Sequence, residues 1–227
     1  MVEPSRGPVG DRAGMNFDRL APHYGWMEIL FAGGLMQRCR VTFLPRVKNC
    51  RRALLAGEGT GRFLAELLRF NPDIEVTCLE HCAGMIEQAR QRLVHEGLDP
   101  ARVEFRQVDL LQWTPPAGQF DLVVTNFFLD CFRADQLQPL IPRLACGTTA
   151  DAIWLLADFR LPERGWRRTR AMMLLAGLYA FFRLTTSLSA HRLTPPDQFL
   201  AGAGFKLADR RLASFGFAHA DLWKRGT

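Results

Sequence analysis

No two of the six cysteines, at 39, 50, 78, 82, 131 and 146, are spaced as a CxxC pair. Dithiol and zinc-knuckle patterns are therefore missing. Several cysteines sit inside apolar runs, so the set reads as reduced, buried thiols of an intracellular protein. Long apolar runs are missing too. The longest stretch without a polar residue, 171–182 with Gly177 and Tyr179 counted in, is twelve residues. A bilayer-spanning helix needs about 20. The opening MVEPSRGPVGDRAG (1–14) has no apolar signal-peptide core and reads as a flexible tail. No internal repeat or low-complexity segment occurs, no appended RNA-binding module is visible, and His23, His81, His95 and His219 form no metal pattern. No Lys-Ser or Lys-Thr pair follows the glycines at 57–61, which argues against a P-loop.

What is there suits one globular domain. Of 227 residues, 48% are hydrophobic, enough for a sizeable core. The domain is expected over 15–227, with a helical cover at 15–48 and an apolar helical insert at 160–195. The net charge of +6 leaves four partners open: nucleic acid, an anionic membrane surface, an acidic substrate, or only solvent around an arginine-rich surface. Within 17–44, Met27, Leu30, Phe31, Leu35 and Met36 recur at helical spacing, with Gly33-Gly34 as a break.

Beyond residue 50, two periods alternate. RRALLAG, IEVTCLE (74–80), VEFRQVDL (103–110), FDLVVTNFF and AIWLLADF (152–159) read as strands. RFLAELLRF puts Phe63, Leu64, Leu67 and Leu68 on one helical face, and Met85, Ile86, Ala89 and Leu93 form another, stopped by Gly97. Residues 134–144 read as a short helix holding two prolines. The end, FKLADRRLASFGFAHADLWKR, has no helical gap and reads as two antiparallel strands turning near 214–216. The pattern predicts an α/β fold. It is a doubly wound, mostly parallel, seven-stranded sheet closed by an antiparallel pair.

In such a sheet, ligands sit at the carboxyl ends of the strands where strand order reverses. The first strand runs into Gly57-Glu58-Gly59-Thr60-Gly61 and then a helix. Alone this is an ordinary strand-to-helix turn. Its company is more telling. Glu80 ends the second strand, 19 residues beyond Gly61, where a carboxylate can accept two ribose hydroxyls. Asp109 and Leu110 end the third, suited to an adenine amino group and ring face. Asn126 ends the fourth. A dinucleotide fingerprint does not fit, because Arg62 holds the place of its third glycine and Gly61 comes one residue early.

These residues resemble the class I S-adenosylmethionine-dependent methyltransferases over roughly 50–160, which implies a Rossmann-like methyltransferase fold and S-adenosylmethionine as cofactor. Gly57, Gly59 and Gly61 match the loop that packs on the methionine part. Glu80 matches the ribose acid, Asp109 with Leu110 the adenine contacts, and Asn126 the position after strand four. The stretch FDRLAPHYGWME is similar to the start of the ubiquinone/menaquinone methyltransferases. One departure stands out. Leu55 occupies the place of the acid two residues before the first glycine, so Glu58 or a backbone carbonyl would serve the amino group instead.

The sulfonium already activates the methyl group, so a base is needed only if the acceptor must lose a proton. Tyr24 and Phe17 lie on the segment that would cover the cofactor, or pack that segment's helix. Asp130 lies just past strand four, where acceptors dock in this superfamily, or it is a helix N-cap or a surface carboxylate. His191 precedes LTPPDQ at a pocket rim or in a solvent-exposed loop. Asp158 faces the cleft or caps the next helix. In the insert, arginines 164, 167, 168 and 170 precede a helix that is apolar nearly all round, including Met172, Met173, Leu178, Tyr179 and Phe182. It reads as a buried lid or dimer helix, an acceptor tunnel, or a helix touching anionic lipid. The expectation is a cytoplasmic methyltransferase without a metal. Its acceptor is small and hydrophobic or aromatic. Peripheral membrane contact and a homodimer are both open, and no nucleic-acid partner is expected. The rival readings are methylation of a water-soluble metabolite and a non-catalytic S-adenosylmethionine-binding protein.

Overall fold

The computed structural model describes residues 33–185 and 193–226, with side chains described outside 177–185. Its first element is helix α1 (Gly33–Val41), so the glycine pair expected to break a helix stands at the start of this one. The expected cover residues Phe17, Tyr24, Met27, Leu30 and Phe31, the tail 1–14 and His191 lie outside the described residues, as do the side chains of Tyr179 and Phe182.

Strand β1 (Arg52–Ala56) leads to helix α2 (Arg62–Phe70), then β2 (Glu75–Glu80), α3 (Ala83–His95) and β3 (Val103–Gln107). The second half runs β4 (Phe120–Asn126), α4 (Ala134–Cys146), β5 (Thr148–Phe159), α5 (Trp166–Thr185), α6 (Asp197–Gly202), β6 (Phe205–Ala213) and β7 (Ala218–Arg225). They form one seven-stranded sheet in the order β3-β2-β1-β4-β5-β7-β6. The pairs from β3 to β5 are parallel, and β7 runs antiparallel to both of its neighbours. The strand order reverses between β1 and β4, which sets the binding crevice there.

Burial explains why the strands read as continuous apolar runs. Leu54 and Val123 point to one side, against Leu140 and Leu144 of α4. Leu55 and Val124 point to the other, against Phe63 and Leu67 of α2. A strand covered on both faces needs apolar residues at every position. Asp121 fixes the register of the central pair by accepting hydrogen bonds from Arg51 N (2.7 Å) and Arg52 N (2.9 Å).

Several boundaries depart from the sequence reading. Strand β3 stops at Gln107, because Asp109 O turns back to accept Gln112 N (3.0 Å) and Trp113 N (2.9 Å). Strand β5 starts at Thr148, early enough to pair with Phe120 before a bulge. Helix α4 extends to Cys146. Pro139 and Pro142 are both exposed, as are Asp135 and Gln138, whose carbonyls lose a helical donor to them, so water can take the place of the missing N–H groups. Ile86 is only partly buried, whereas Met85, Ala89 and Leu93 are core residues. All six cysteines are free. Four are buried, Cys131 is half-buried and Cys146 is exposed.

Candidate functional site

Three consecutive polar-tipped strand ends, β1, β2 and β4, and the loop after β3 carry most of the residues singled out above. At β1 the chain leaves through Gly57, whose N–H donates to Leu79 O at 2.9 Å. Gly57 has φ +68°, and a Cβ there would lie 2.0 Å from the Phe128 ring. Gly61 has φ +77°, and a Cβ there would lie 2.9 Å from Ala89 Cβ, so its absence lets α3 close on the loop. Gly59 shares the left-handed conformation but faces open space, with no heavy atom within 4 Å of a Cβ. The room over Gly59 therefore comes from the surroundings as well as from the missing side chain.

Glu58 reaches forward rather than into this space. Its Oε1 accepts Phe63 N (2.8 Å) and Leu64 N (2.9 Å), capping the first turn of α2, where free amides and the helix dipole favour a carboxylate. Leu55 is fully buried in the core.

Glu80 closes the loop from the other side. It accepts Gly59 N (3.1 Å), His81 N (2.8 Å) and Cys82 N (3.1 Å). Burial raises its carboxyl above the usual range, and these backbone hydrogen bonds oppose the rise. One side chain thus ties the glycine loop to the end of β2 and the start of α3. Asp109 sits two residues beyond β3 and is exposed. Its carboxylate accepts Leu111 N (2.9 Å) and Gln112 Nε2 (2.9 Å). Leu110 follows Asp109. It is buried in the core on the α4 side.

The end of β4 is strained and incompletely paired. Asn126 is 7% exposed, and its Nδ2 has no hydrogen-bond partner. Phe127 follows with φ +52°, a conformation costly for an aromatic residue, and its N–H donates to Ala157 O. Its ring lies 5.0 Å from Phe159, while Phe128 lies 4.9 Å from Phe132. Asp130 follows in the short turn Leu129–Cys131, and is buried.

Beside Asp130 lies a carboxyl that the sequence left undecided. Asp158, near the end of β5, is 2% exposed, its Oδ2 has no hydrogen-bond partner, and its carboxyl interacts with that of Asp130. Burial pushes the Asp130 carboxyl up to about 6. Asp158 is raised well above the usual carboxyl range, by burial first and by the charge of Asp130 second. Two neighbouring buried carboxyls cannot both ionise cheaply, so the pair is pushed toward protonation. Cys131 donates its thiol to Asp130 Oδ1 (3.5 Å), and burial raises that thiol well above its usual value, so it stays protonated. The sequence did hold one signal for Asp158: an aspartate near the end of the apolar run AIWLLADF must be buried with the strand. Its pairing with Asp130 needs the sheet order and could not be read from the chain. Among the described residues, no group of three His, Cys, Asp or Glu side chains is arranged to hold a metal ion.

Known proteins share this architecture. Residues 53–146 match the family described as a methyltransferase domain. The chain is 27% identical over 173 residues to a demethylmenaquinone methyltransferase of Deinococcus radiodurans, which covers 73% of this chain and 70% of that protein. Magnesium protoporphyrin IX methyltransferase from Synechocystis, solved with bound SAH, aligns with a TM-score of 0.66 at 19% identity, over 92% of this chain and 94% of that one. Mitomycin 7-O-methyltransferase gives the same TM-score and identity, over 92% of this chain but 60% of that longer one. Residues 53–146 thus carry the match to a methyltransferase domain, and the sheet with its antiparallel β7 has the fold of the methyltransferases with which it aligns.

Proposed function

We propose that this chain methylates a small hydrophobic or aromatic acceptor, quinone-like at the extreme. The cofactor fits the residues present: the space over Gly59 is open, Glu80 stands at its edge, and Asn126 holds an unpartnered amide at the facing strand end. In this reading Glu80 takes the ribose hydroxyls and Asp109 meets the adenine side. Asn126 faces the reactive end, and Tyr24 belongs to the cover. Glu58 keeps to its α2 amides and leaves the methionine amino group to backbone carbonyls. S-adenosylmethionine supplies an activated methyl group on its sulfonium.

The observation that carries the acceptor reading is the buried Asp130–Asp158 pair at the ends of β4 and β5, with the ring pairs Phe127–Phe159 and Phe128–Phe132 in the adjoining residues. Aromatic side chains flanking an acceptor favour an apolar ring and exclude water. A carboxyl pair holding one proton can accept a second from an acidic hydroxyl or ring position. The kinship with a demethylmenaquinone methyltransferase supports the same class of acceptor.

The test uses purified protein and S-adenosylmethionine labelled in its methyl group. The panel holds reduced naphthoquinones with a free ring position, hydroxylated aromatics, and water-soluble amines and acids. Label is expected in a solvent-extractable aromatic product. Label only in water-soluble products would favour a metabolite methyltransferase. Cofactor binding with no transfer to any member would favour a non-catalytic binding protein.

A further inference from the structure

The turn between β6 and β7 holds a side chain that neither its backbone nor the core calls for. Ser214, Phe215 and Gly216 all have positive φ, at +50°, +58° and +86°. Phenylalanine is strained in that region, and Phe215 is also 59% exposed. Its neighbours continue the anomaly. Trp166, at the start of α5, is 61% exposed, with its ring 5.6 Å from Phe215. Arg167 lies over both rings and Arg170 lies 5.4 Å over Phe215. Leu212, Met172 and Met173 are exposed alongside, Met173 at 69%. Residues 160–170 carry five arginines and one acid, Glu163. A notch of about 410 Å³ opens between the two elements, lined by Arg160, Arg164, Arg167, Leu212 and Phe215 among others.

The position of this surface follows from topology. Strand β6 is antiparallel to β7, which is antiparallel to β5, so β6 ends on the same edge as β1, β4 and β5. The register confirms it: Phe159 pairs with Ala218, and Ala218 with Ala213. The aromatic and basic tip therefore flanks the edge that carries Gly57, Asn126 and Asp158.

We propose that the β6–β7 tip and the first turns of α5 form a docking face for an anionic lipid bilayer. Phe215, Trp166 and Met173 enter the boundary between headgroups and acyl chains, and the arginines meet lipid phosphates. A nucleic acid would also meet arginines and aromatic rings, but it has no use for the apolar Met172 and Met173. The inference goes beyond methyl transfer and does not depend on which acceptor is used. An apolar acceptor dissolved in the bilayer would lie beside the edge where the candidate site opens.

The experiment is co-sedimentation of the full chain with vesicles of phosphatidylglycerol mixed with phosphatidylcholine, and with phosphatidylcholine alone. Binding is expected to the anionic vesicles only, and to weaken as salt is added. Phe215→Gly should bind these vesicles at least about tenfold more weakly. The same change should raise the thermal midpoint, because glycine relieves the positive φ. Arg164→Gln, Arg167→Gln, Arg168→Gln and Arg170→Gln combined should abolish the salt-sensitive part. S-adenosylmethionine affinity should stay unchanged in both variants, which separates this surface from the methyltransferase reading. No sedimentation with anionic vesicles at low salt would overturn the proposal. So would wild-type binding by Phe215→Gly. A dimer in solution that Phe215→Gly dissociates, without lipid binding, would assign the face to a second copy instead.

Discussion

Asp158 accepts a hydrogen bond from Phe159 N at 3.2 Å and interacts with Asp130 inside the protein. Both carboxyls are raised by burial, so the folded chain holds protons that the unfolded chain has released. The sign follows. Their contribution to stability is complete below the ordinary carboxyl value and is lost as pH rises through about 6 and beyond. Asp158→Asn mimics the protonated form and removes its share of that loss. It should therefore stabilise the protein more at about pH 8 than at about pH 5, by at most about 1.4 kcal/mol per pH unit. Urea unfolding at the two pH values checks this. The same variant should lower kcat/KM for an acceptor that must lose a proton, while S-adenosylmethionine affinity stays within a few-fold. A stability change that is equal at both pH values would mean that Asp158 takes up no proton on folding. An aspartate retained there for packing alone would behave in the opposite way, losing stability on substitution.

The closing strand pair has its own electrostatic fastening. Asp221 of β7 is 1% exposed and accepts Arg210 Nε (2.7 Å) and Nη2 (2.6 Å) from β6, and it bonds His219 Nδ1 at 2.9 Å. Arg210 Nη2 also donates to Asp197 Oδ1 (2.7 Å), in the first turn of α6. Burial alone would raise Asp221, but the hydrogen bonds of Arg210 and His219 hold it below its ordinary value. Asp221→Ala leaves a partly buried guanidinium without its main partner and should cost about 3–5 kcal/mol. The wild-type advantage should vanish in acid, as pH falls below about 4 and through the lowered value. Denaturant midpoints of the two proteins across that range test it, and a cost independent of pH would assign the loss to packing. The inner strands β1, β2, β4 and β5 were legible because their apolar content has one cause, burial on both faces, whereas β6, largely exposed at the sheet edge, was legible only because no helical gap separates it from β7. The loop at 57–61 was legible because three glycines at alternate positions have few other uses. What could not be read depends on contacts across the sheet. Asp130 and Asp158 meet only because β4 and β5 are neighbours. Glu58 turns to the amides of its own helix, a local hydrogen bond that residue types alone do not announce. The antiparallel turn at 214–216 was expected, but its left-handed Phe215 was not, since no pattern of residue types announces strain at a phenylalanine.

At the scale of the molecule, one sheet carries both jobs. The cofactor candidates sit on β1–β4 and the loop after β3, and the carboxyl pair and the basic tip sit toward β5–β7. Each strand is hydrogen-bonded to the next without interruption, and Leu155 and Leu222 share a core cluster with Leu55 and Leu122. Neither half can lose its strands without exposing the apolar faces of the other. Scanning calorimetry should therefore show a single transition, with calorimetric and van't Hoff enthalpies equal. A ligand that binds only the folded form then stabilises the whole sheet. At S-adenosylmethionine about 100-fold above its Kd the gain is ~2.7 kcal/mol. For a protein of this size that corresponds to roughly 5–10 °C in Tm. The shift should be the same whether it is followed by a probe near Glu80 on β2 or by Trp223 on β7. A shift confined to the β2 probe would mean that the cofactor half melts by itself. In that case the carboxyl pair and the basic tip would belong to a unit that the cofactor does not hold.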